Sequence, residues 1–544
     1  MPGMVMRELD ELAERLWAWR ARTAPRTRDD IPRLDRPVDW RPDFAADAVA
    51  GQRATRGAFA EELASVRPVE VADRVDHRLL RSALARVEWE LDVVRAWQRQ
   101  PRFYTDQTLG PVFDLLVVPG VDETRVEAVI AILDDVGAGL TQARENLAHH
   151  AYVEFAGSAV AELAEIGTAL SALAAALAPL VPALTDRLTS ACARAGSELV
   201  DYRDWLVELM PSLPPAEPVG VDALGWFLAE VACVPVAPAE IAAIGRREAD
   251  AAVVRELLEH RRNADVRLRR LPVDGHAQAR RAASAEEEVR DFYAGMGLLT
   301  IPADLAHYRT LPMPDYLQPL RFLGVADDLT GPDRLDEVGT SWFPEPAPDL
   351  PYFYAANARD PRAGIVHEGA HHQQLALSWR RARPIRRHYY DSAANEGIAF
   401  YNEELMLASG LFEDAPHSRT TMFNFMRLRA LRVGIDIGLA TGEFGLDEAA
   451  RRLAEQVPMD PGTAAEEAAF FAETPGQAMS YQVGKTQLLA LIADAVRHDG
   501  RNLDLRALHD RIWVNGNVPI ALQRWEILGL TDELAAIGVT LDEA

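Results

Sequence analysis

The run Ile365-Val366-His367-Glu368-Gly369-Ala370-His371-His372-Gln373-Gln374 places two imidazoles four residues apart, with a carboxylate directly after the first. Residues i and i+4 share one face of an α-helix, so a chain that brings His367 and His371 to a common point must be helical here. The same spacing lets both rings reach one tetrahedral Zn2+. Glu368 then stands beside the ion rather than on it. A carboxylate so placed can take the proton of a water that attacks a carbonyl.

A catalytic zinc takes three protein ligands and keeps one position open. Downstream, Asp391-Ser392-Ala393-Ala394-Asn395-Glu396-Gly397 opens a second helix that a loop and a turn can return antiparallel to the first. Glu396 is the expected third ligand. Glu403, two turns along the same face, is a candidate to hold a ligand imidazole. Hydrolysis also needs a donor for the developing oxyanion, and Tyr481 enters a helix after the Pro475-Gly476 turn, with Gly484 leaving room on one face. Lys485, Arg429, Arg432, Asp436 and His388 are polar residues in apolar contexts that either line a cleft or form a structural ion-pair network. His372 and Tyr354 are further cleft candidates.

Helical spacing dominates the remaining chain. Leu9, Leu12, Leu16 and Trp19 recur at intervals of three and four, a helical pattern runs from His77 to Gln98 through Leu79, Leu80, Leu84, Val87, Leu91 and Val94, and further helices are expected from Glu123 to Ala151 and on to Met210. A loose, proline-broken segment separates the first of these helices from the next between Thr23 and Pro42. From Leu299 to Pro361 prolines interrupt every helix, and Leu305-Ala306-His307-Tyr308-Arg309, Leu320-Arg321-Phe322-Leu323 and Tyr352-Phe353-Tyr354-Ala355 suggest short strands. A small sheet before the histidine helix is expected, with Tyr352-Phe353-Tyr354 as an edge able to align a peptide. The fold class is therefore mostly α. The change of character at Leu299 divides the chain into 1–298 and 299–544, with no low-complexity linker that would separate an independent domain.

Charge narrows the partners, since 57 Lys+Arg against 83 Asp+Glu give a net charge of −26, which repels phosphate backbones and argues against nucleic acid. Cys192 and Cys233 are too few for a disulfide framework and suit small apolar core positions. Asp10, Glu11, Glu14 and Arg15 break any signal-peptide h-region, so a cytoplasmic location is expected. Ile166 to Leu184 carries no charge, but it is rich in Ala and contains Pro179 and Pro182. A buried helix is expected there rather than a membrane span.

Four ordered blocks carry a resemblance: His367-Glu368-Gly369-Ala370-His371-His372-x-Gln374; Asn395-Glu396-Gly397-Ile398-Ala399-Phe400-Tyr401-x-Glu403; Pro475-x-Gln477-Ala478-x-Ser480-Tyr481-x-x-Gly484; and His509-Asp510 with Gly516-x-Val518-Pro519. Together they resemble the bacterial zincin-like proteins of domain-of-unknown-function family eight-eight-five. The resemblance implies a gluzincin-type metallopeptidase fold, similar to thimet oligopeptidase and carboxypeptidase Taq, with two helical lobes around a deep cleft. It also implies Glu396 as metal ligand and Tyr481 as transition-state donor. The chain departs from the pattern in lacking a Pro-Gly pair before the paired histidines and a His near Ala440. Phe400 stands where thermolysin-like gluzincins place an Asp, which leaves support of the ligands to Glu403 or another group.

The expected function is a zinc-dependent hydrolase, a metallopeptidase acting on short peptides or amino-acid amides, with no nucleic-acid or membrane partner. Fold does not fix reaction. The alternatives are a zinc-dependent tailoring enzyme cutting or forming a non-peptide bond of a small metabolite, and a helical scaffold with a vestigial site.

Overall fold

The computed structural model describes residues 2–28, 33–37, 40–457 and 459–539. Residues 29–32 and 38–39 of the expected loose segment lie outside them. The protein is mostly helical, with one small mixed sheet of three strands.

Leu9, Leu12 and Leu16 are buried on the helix Pro2–Thr23, and Trp17 rather than Trp19 continues their stripe. They pack with Leu79, Leu80 and Leu84 of the helix Val71–Glu88 and with Val518, Leu522 and Trp525 near the other end of the chain. The first and last segments thus share one core. The helix Glu123–Leu147 starts at Asp122, whose side chain accepts the Arg125 backbone N–H, a cap that satisfies an otherwise orphaned donor. Its buried stripe packs into the core shared with Ile166–Leu177 and Thr185–Leu209. The uncharged stretch expected to be a buried helix is buried along one stripe, Ile166, Leu170, Leu173, Ala174 and Leu177. By length and composition alone, Val153–Leu180 is long and apolar enough to cross a membrane, and 33% of that window is buried.

The sheet comprises β1, Tyr308–Pro312, β2, Asp327–Asp328, and β3, Gly339–Phe343, in the order β1-β3-β2. β1 runs parallel to β3, and β2 runs antiparallel to it. Only one of the three expected strands overlaps it. Leu320-Arg321-Phe322-Leu323 lies in the 3-10 helix Gln318–Leu323, with Pro319 in its first turn. Tyr352-Phe353-Tyr354 opens the helix Tyr352–Arg359 and is no sheet edge. Pro351 presets the backbone before the first turn, and Ala355, Ala356 and Ala358 favour helix. The aromatic rings that suggested a strand pack instead on Phe425, at centroid distances of 5.7 Å for Tyr352 and 5.6 Å for Phe353.

Four helices surround the candidate site: the histidine helix Arg362–Arg381, the glutamate helix Ser392–Ser409, the helix Pro416–Thr441 and the helix Ser480–Asp499. Asp391 caps the glutamate helix by accepting the Ala394 N–H at 3.0 Å. Glycine sets how closely this helix meets Ser480–Asp499. A Cβ on Gly484 would overlap the Ala393 carbonyl, and one on Gly397 would come within 2.5 Å of the Gly484 Cα. The two backbones touch because neither position carries a side chain.

Candidate metal centre

Nε2 of His367 lies 3.3 Å, and Nε2 of His371 3.5 Å, from the same Oε2 of Glu396. The two imidazole planes are perpendicular, with centroids 5.0 Å apart. The three potential ligand atoms lie within 4.8 Å of one another, the only such group of three or more among the described residues. All three side chains are buried. Glu396 Oε2, the atom facing both rings, has no partner in hydrogen-bond geometry among the described residues. A buried carboxylate oxygen in that state is costly unless a cation meets it. Two nitrogens, one oxygen and a buried setting fit a zinc ion.

Glu403 sits behind His367, with Oε1 2.7 Å from Nδ1. Arg429 Nη2 lies 2.7 Å from the same oxygen and 3.3 Å from Nδ1. Glu403 and Arg429 both lie on the Nδ1 side of the ring, which leaves Nε2 facing Glu396 and the centre. Burial and Arg429 push the His367 pKa down, but Glu396 and Glu403 outweigh them and bring it up to about 9. Burial favours the neutral form of Glu396, yet His371 and His367 hold its carboxyl well below the usual range. The two opposed shifts mark a buried position that favours positive charge beside the Glu396 carboxylate.

Tyr481 is placed by the turn before it. Asp436, fully buried on Pro416–Thr441, accepts the backbone N–H groups of Gly476 and Met479, each at 2.9 Å. Burial pushes the Asp436 carboxyl up to about 7 despite these bonds. The Tyr481 ring lies nearly parallel to that of His367, 13° between planes and 6.1 Å between centroids, and the Arg432 guanidinium stands 5.2 Å from it.

Glu368 remains half-buried and outside the ligand cluster. Its neighbours include Tyr354, whose hydroxyl is raised to about 12 by burial, Asp327 and Glu368. Other sequence candidates lie elsewhere. The His372 ring stacks on Tyr308, 5.4 Å between centroids, beneath the sheet. Burial lowers its pKa to about 3. Lys485 pairs with Glu248 at 3.1 Å and Glu404 at 2.9 Å, above the Phe400 ring. His388 Nδ1 meets the Arg33 carbonyl at 2.6 Å, close to Trp17. Asp327 escaped the sequence reading, since its proximity to Glu368 depends on pairing between strands far apart in the chain. The adjacent Asp327-Asp328 in a proline-rich stretch was the available signal.

Fold and site together define a predominantly helical protein with a buried cluster of two histidines and one carboxylate. The chain belongs to the family described as bacterial protein of unknown function (DUF885), whose model matches residues 35–527. A solved candidate lipoprotein of unknown function from Shewanella oneidensis is similar to it with a TM-score of 0.71 at 13% identity, over 96% of this chain and 99% of that one. A candidate lipoprotein from Colwellia psychrerythraea gives 0.69 at 16% identity, over 98% of each chain. No curated protein matches the chain. At such identities the likeness is one of fold, and none of these descriptions names a peptidase. The expected cytoplasmic location is corrected here. Both structural relatives are described as candidate lipoproteins, a class anchored to membranes by attached lipid, so charged opening residues do not put the protein in the cytoplasm.

Proposed function

We propose that this protein is a zinc-dependent hydrolase of gluzincin type, with two helical lobes around a cleft, cleaving short peptides or amino-acid amides. The observation that carries the reading is the convergence of His367 Nε2, His371 Nε2 and Glu396 Oε2 within 4.8 Å, with Glu403 2.7 Å behind the first imidazole. Held by these three side chains, a zinc ion would supply a Lewis acid and make water nucleophilic at neutral pH. Glu368 follows the first ligand without joining the cluster, so its carboxylate takes the proton of the attacking water and returns it to the leaving amine. Tyr481, packed beside His367, contributes a phenol donor for the oxyanion. Glu403 and Arg429, both on the Nδ1 side, hold the His367 ring in place.

Elemental analysis of the purified protein should find about one zinc per chain. A peptide library should then reveal a cleaved class, and Glu368→Gln should keep the metal while slowing cleavage about a thousandfold. Absence of stoichiometric metal defeats the zinc reading, and undiminished cleavage by Glu368→Gln removes Glu368 as the base.

A further inference from the structure

The helix Pro238–Arg262 is turned inside out over its last turns. Ala252, Glu256 and Glu259 are buried there, while Val253, Val254, Leu257 and Leu258 face outward with exposures of 43% to 60%. Val253 and Leu257, like Val254 and Leu258, are four residues apart, so the four side chains make one apolar ridge. The acids go inward because the helix Pro416–Thr441 offers them cations. Arg427 lies 3.3 Å from Glu256 and Arg419 3.2 Å from Glu259, whose other oxygen accepts the Asn263 amide at 3.0 Å. Nothing comparable covers the ridge, and an apolar patch left in water marks a contact surface.

The chain beyond the helix extends the same surface. Its backbone is pinned, with the carbonyls of Val266, Arg269 and Arg270 meeting His417 at 2.8 Å, Arg359 at 3.1 Å and Arg281 at 3.3 Å. The side chains from Val266 to Arg270 all stand exposed, with Leu268 between Arg267 and Arg269, and Val273 is 90% exposed. Six arginines face three acids between Val253 and Val273. Two of those acids are the buried Glu256 and Glu259, which leaves Asp265 as the exposed one. Arg255, Arg261, Arg267 and Arg270 have no ion pair among the described residues, and Arg262 and Arg269 reach Glu259 and Asp360 only at 3.7 and 4.0 Å. In a chain of net charge −26 this is a cationic island. Salt screens the acids farther than about 8 Å from it, so the island sets the local field.

Whatever covers this surface must accept hydrocarbon and bring negative charge over the same area. A second copy docked face to face would set the arginines against one another. Nucleic acid brings phosphates, but its backbone gives the exposed leucines no hydrocarbon. A bilayer with anionic headgroups brings both, phosphates at the surface and acyl chains directly beneath.

We propose that residues 253–273 form a docking surface for an anionic lipid bilayer, with Val254, Leu257, Leu258 and Leu268 entering the headgroup boundary and the arginines meeting lipid phosphates. The contact is peripheral, and it is independent of the hydrolase reading.

The test uses the full chain and vesicles. Cys192 and Cys233 are both buried, so Leu258→Cys gives one accessible thiol for an environment-sensitive dye. Val207→Cys, exposed on the helix Thr185–Leu209, gives a reference site. The protein should sediment with phosphatidylcholine vesicles containing about 30% phosphatidylglycerol and stay in solution with phosphatidylcholine alone. The dye at 258 should then brighten and shift to the blue, and the dye at 207 should not change. Raising salt from about 0.05 M to about 0.5 M should release the protein. Arg261→Gln, Arg267→Gln and Arg270→Gln together should weaken binding about a hundredfold, each arginine contributing about fivefold at an anionic surface. Leu257→Ser with Leu258→Ser should weaken it about tenfold and keep the salt dependence. Equal binding to both kinds of vesicle, binding to neither, or sedimentation without a response from the dye at 258 overturns the proposal. A shift of that dye on raising protein concentration without lipid assigns the surface to a second copy and also overturns it. If the combined arginine variant does not fold, the dye and the salt titration on otherwise unaltered protein decide the matter.

Discussion

The helix Glu123–Leu147 and the histidine helix obey the same spacing rules, yet they meet the interior in opposite ways. In the first, Val126, Val129, Ile130, Leu133, Val136, Leu140 and Leu147 form one buried stripe. Its acids stay on the surface, where Glu127 meets Arg187 at 3.0 Å and Asp134 meets Arg194. Such exposed pairs contribute about 0–1 kcal/mol each. The histidine helix is covered on nearly every side and buries Arg362, His367, His371, His372, Gln374 and Ser378 with its apolar residues. Water does not hydrate these groups freely, so neighbouring elements must supply partners. Arg362 finds Asp360 at 2.9 Å, Ser378 finds Arg33 at 3.0 Å, and His367 finds Glu403 at 2.7 Å. Glu396 Oε2 and His371 Nδ1 lack a hydrogen-bond partner among the described residues, as do His372 Nδ1, Gln373 Oε1 and both side-chain polar atoms of Gln374. In the bundle, polarity ends at the surface. Around the histidine helix it is enclosed, and one unpartnered atom, Glu396 Oε2, lies at the candidate centre.

The largest expected break falls on the enclosed side. His371→Ala removes one of three ligands from a cluster with no described substitute, so zinc retained after dialysis, measured by elemental analysis, should drop from about one per chain to background. Circular dichroism should still report a helical protein. Retention of full zinc would exclude His371 from the centre. The matching cut on the bundle side is Leu133→Ala, at a position 1% exposed. Its expected cost is about 3 kcal/mol in denaturant unfolding, from lost burial and the cavity left behind, with zinc content unchanged. If zinc falls together with stability in this variant, the two regions are not separable in the way their burial suggests.

Sequence spacing conveyed the enclosed region unevenly. The interval between His367 and His371 is local, so helix geometry brings them together from the letters alone. Glu396 and Glu403 were legible as positions on a following helix, but the contact of Glu403 with Arg429 depends on how a third helix docks, which no short-range pattern encodes. Arg429 and Lys485 looked alike as charges in apolar runs, yet one joins the His367 network and the other pairs with Glu248 and Glu404. Tyr352-Phe353-Tyr354 misled because aromatic content suits strands, whereas Pro351 and the alanines after it decided for helix. Asp327-Asp328 was visible as an acidic pair, but the place of Asp327 opposite Ser341 is set by a register between β2 and β3 that only the folded sheet defines.

The smallest effect is graded and tests whether enclosure shapes metal binding. In the metal-free centre the His367 pKa stands at about 9, because Glu396 and Glu403 prevail over burial and Arg429. A group raised in this way is protonated at neutral pH, so zinc must displace its proton. Glu396, held well below the usual carboxylate range against the pull of burial, needs no deprotonation. Lowering the pH below about 9 favours the competing proton, and apparent zinc affinity should fall about tenfold per unit down to the acid limit of folding. Above about 9 it should level off, because His367 is then already neutral. Calorimetric titration in two buffers of different ionisation enthalpy should find about one proton released per zinc at pH 7. Leu133→Ala, which leaves the enclosed charges untouched, should show the same slope. A flat affinity between about pH 6 and pH 8 would mean that His367 binds no proton there, and the charge balance drawn from Glu396, Glu403 and Arg429 would then be wrong.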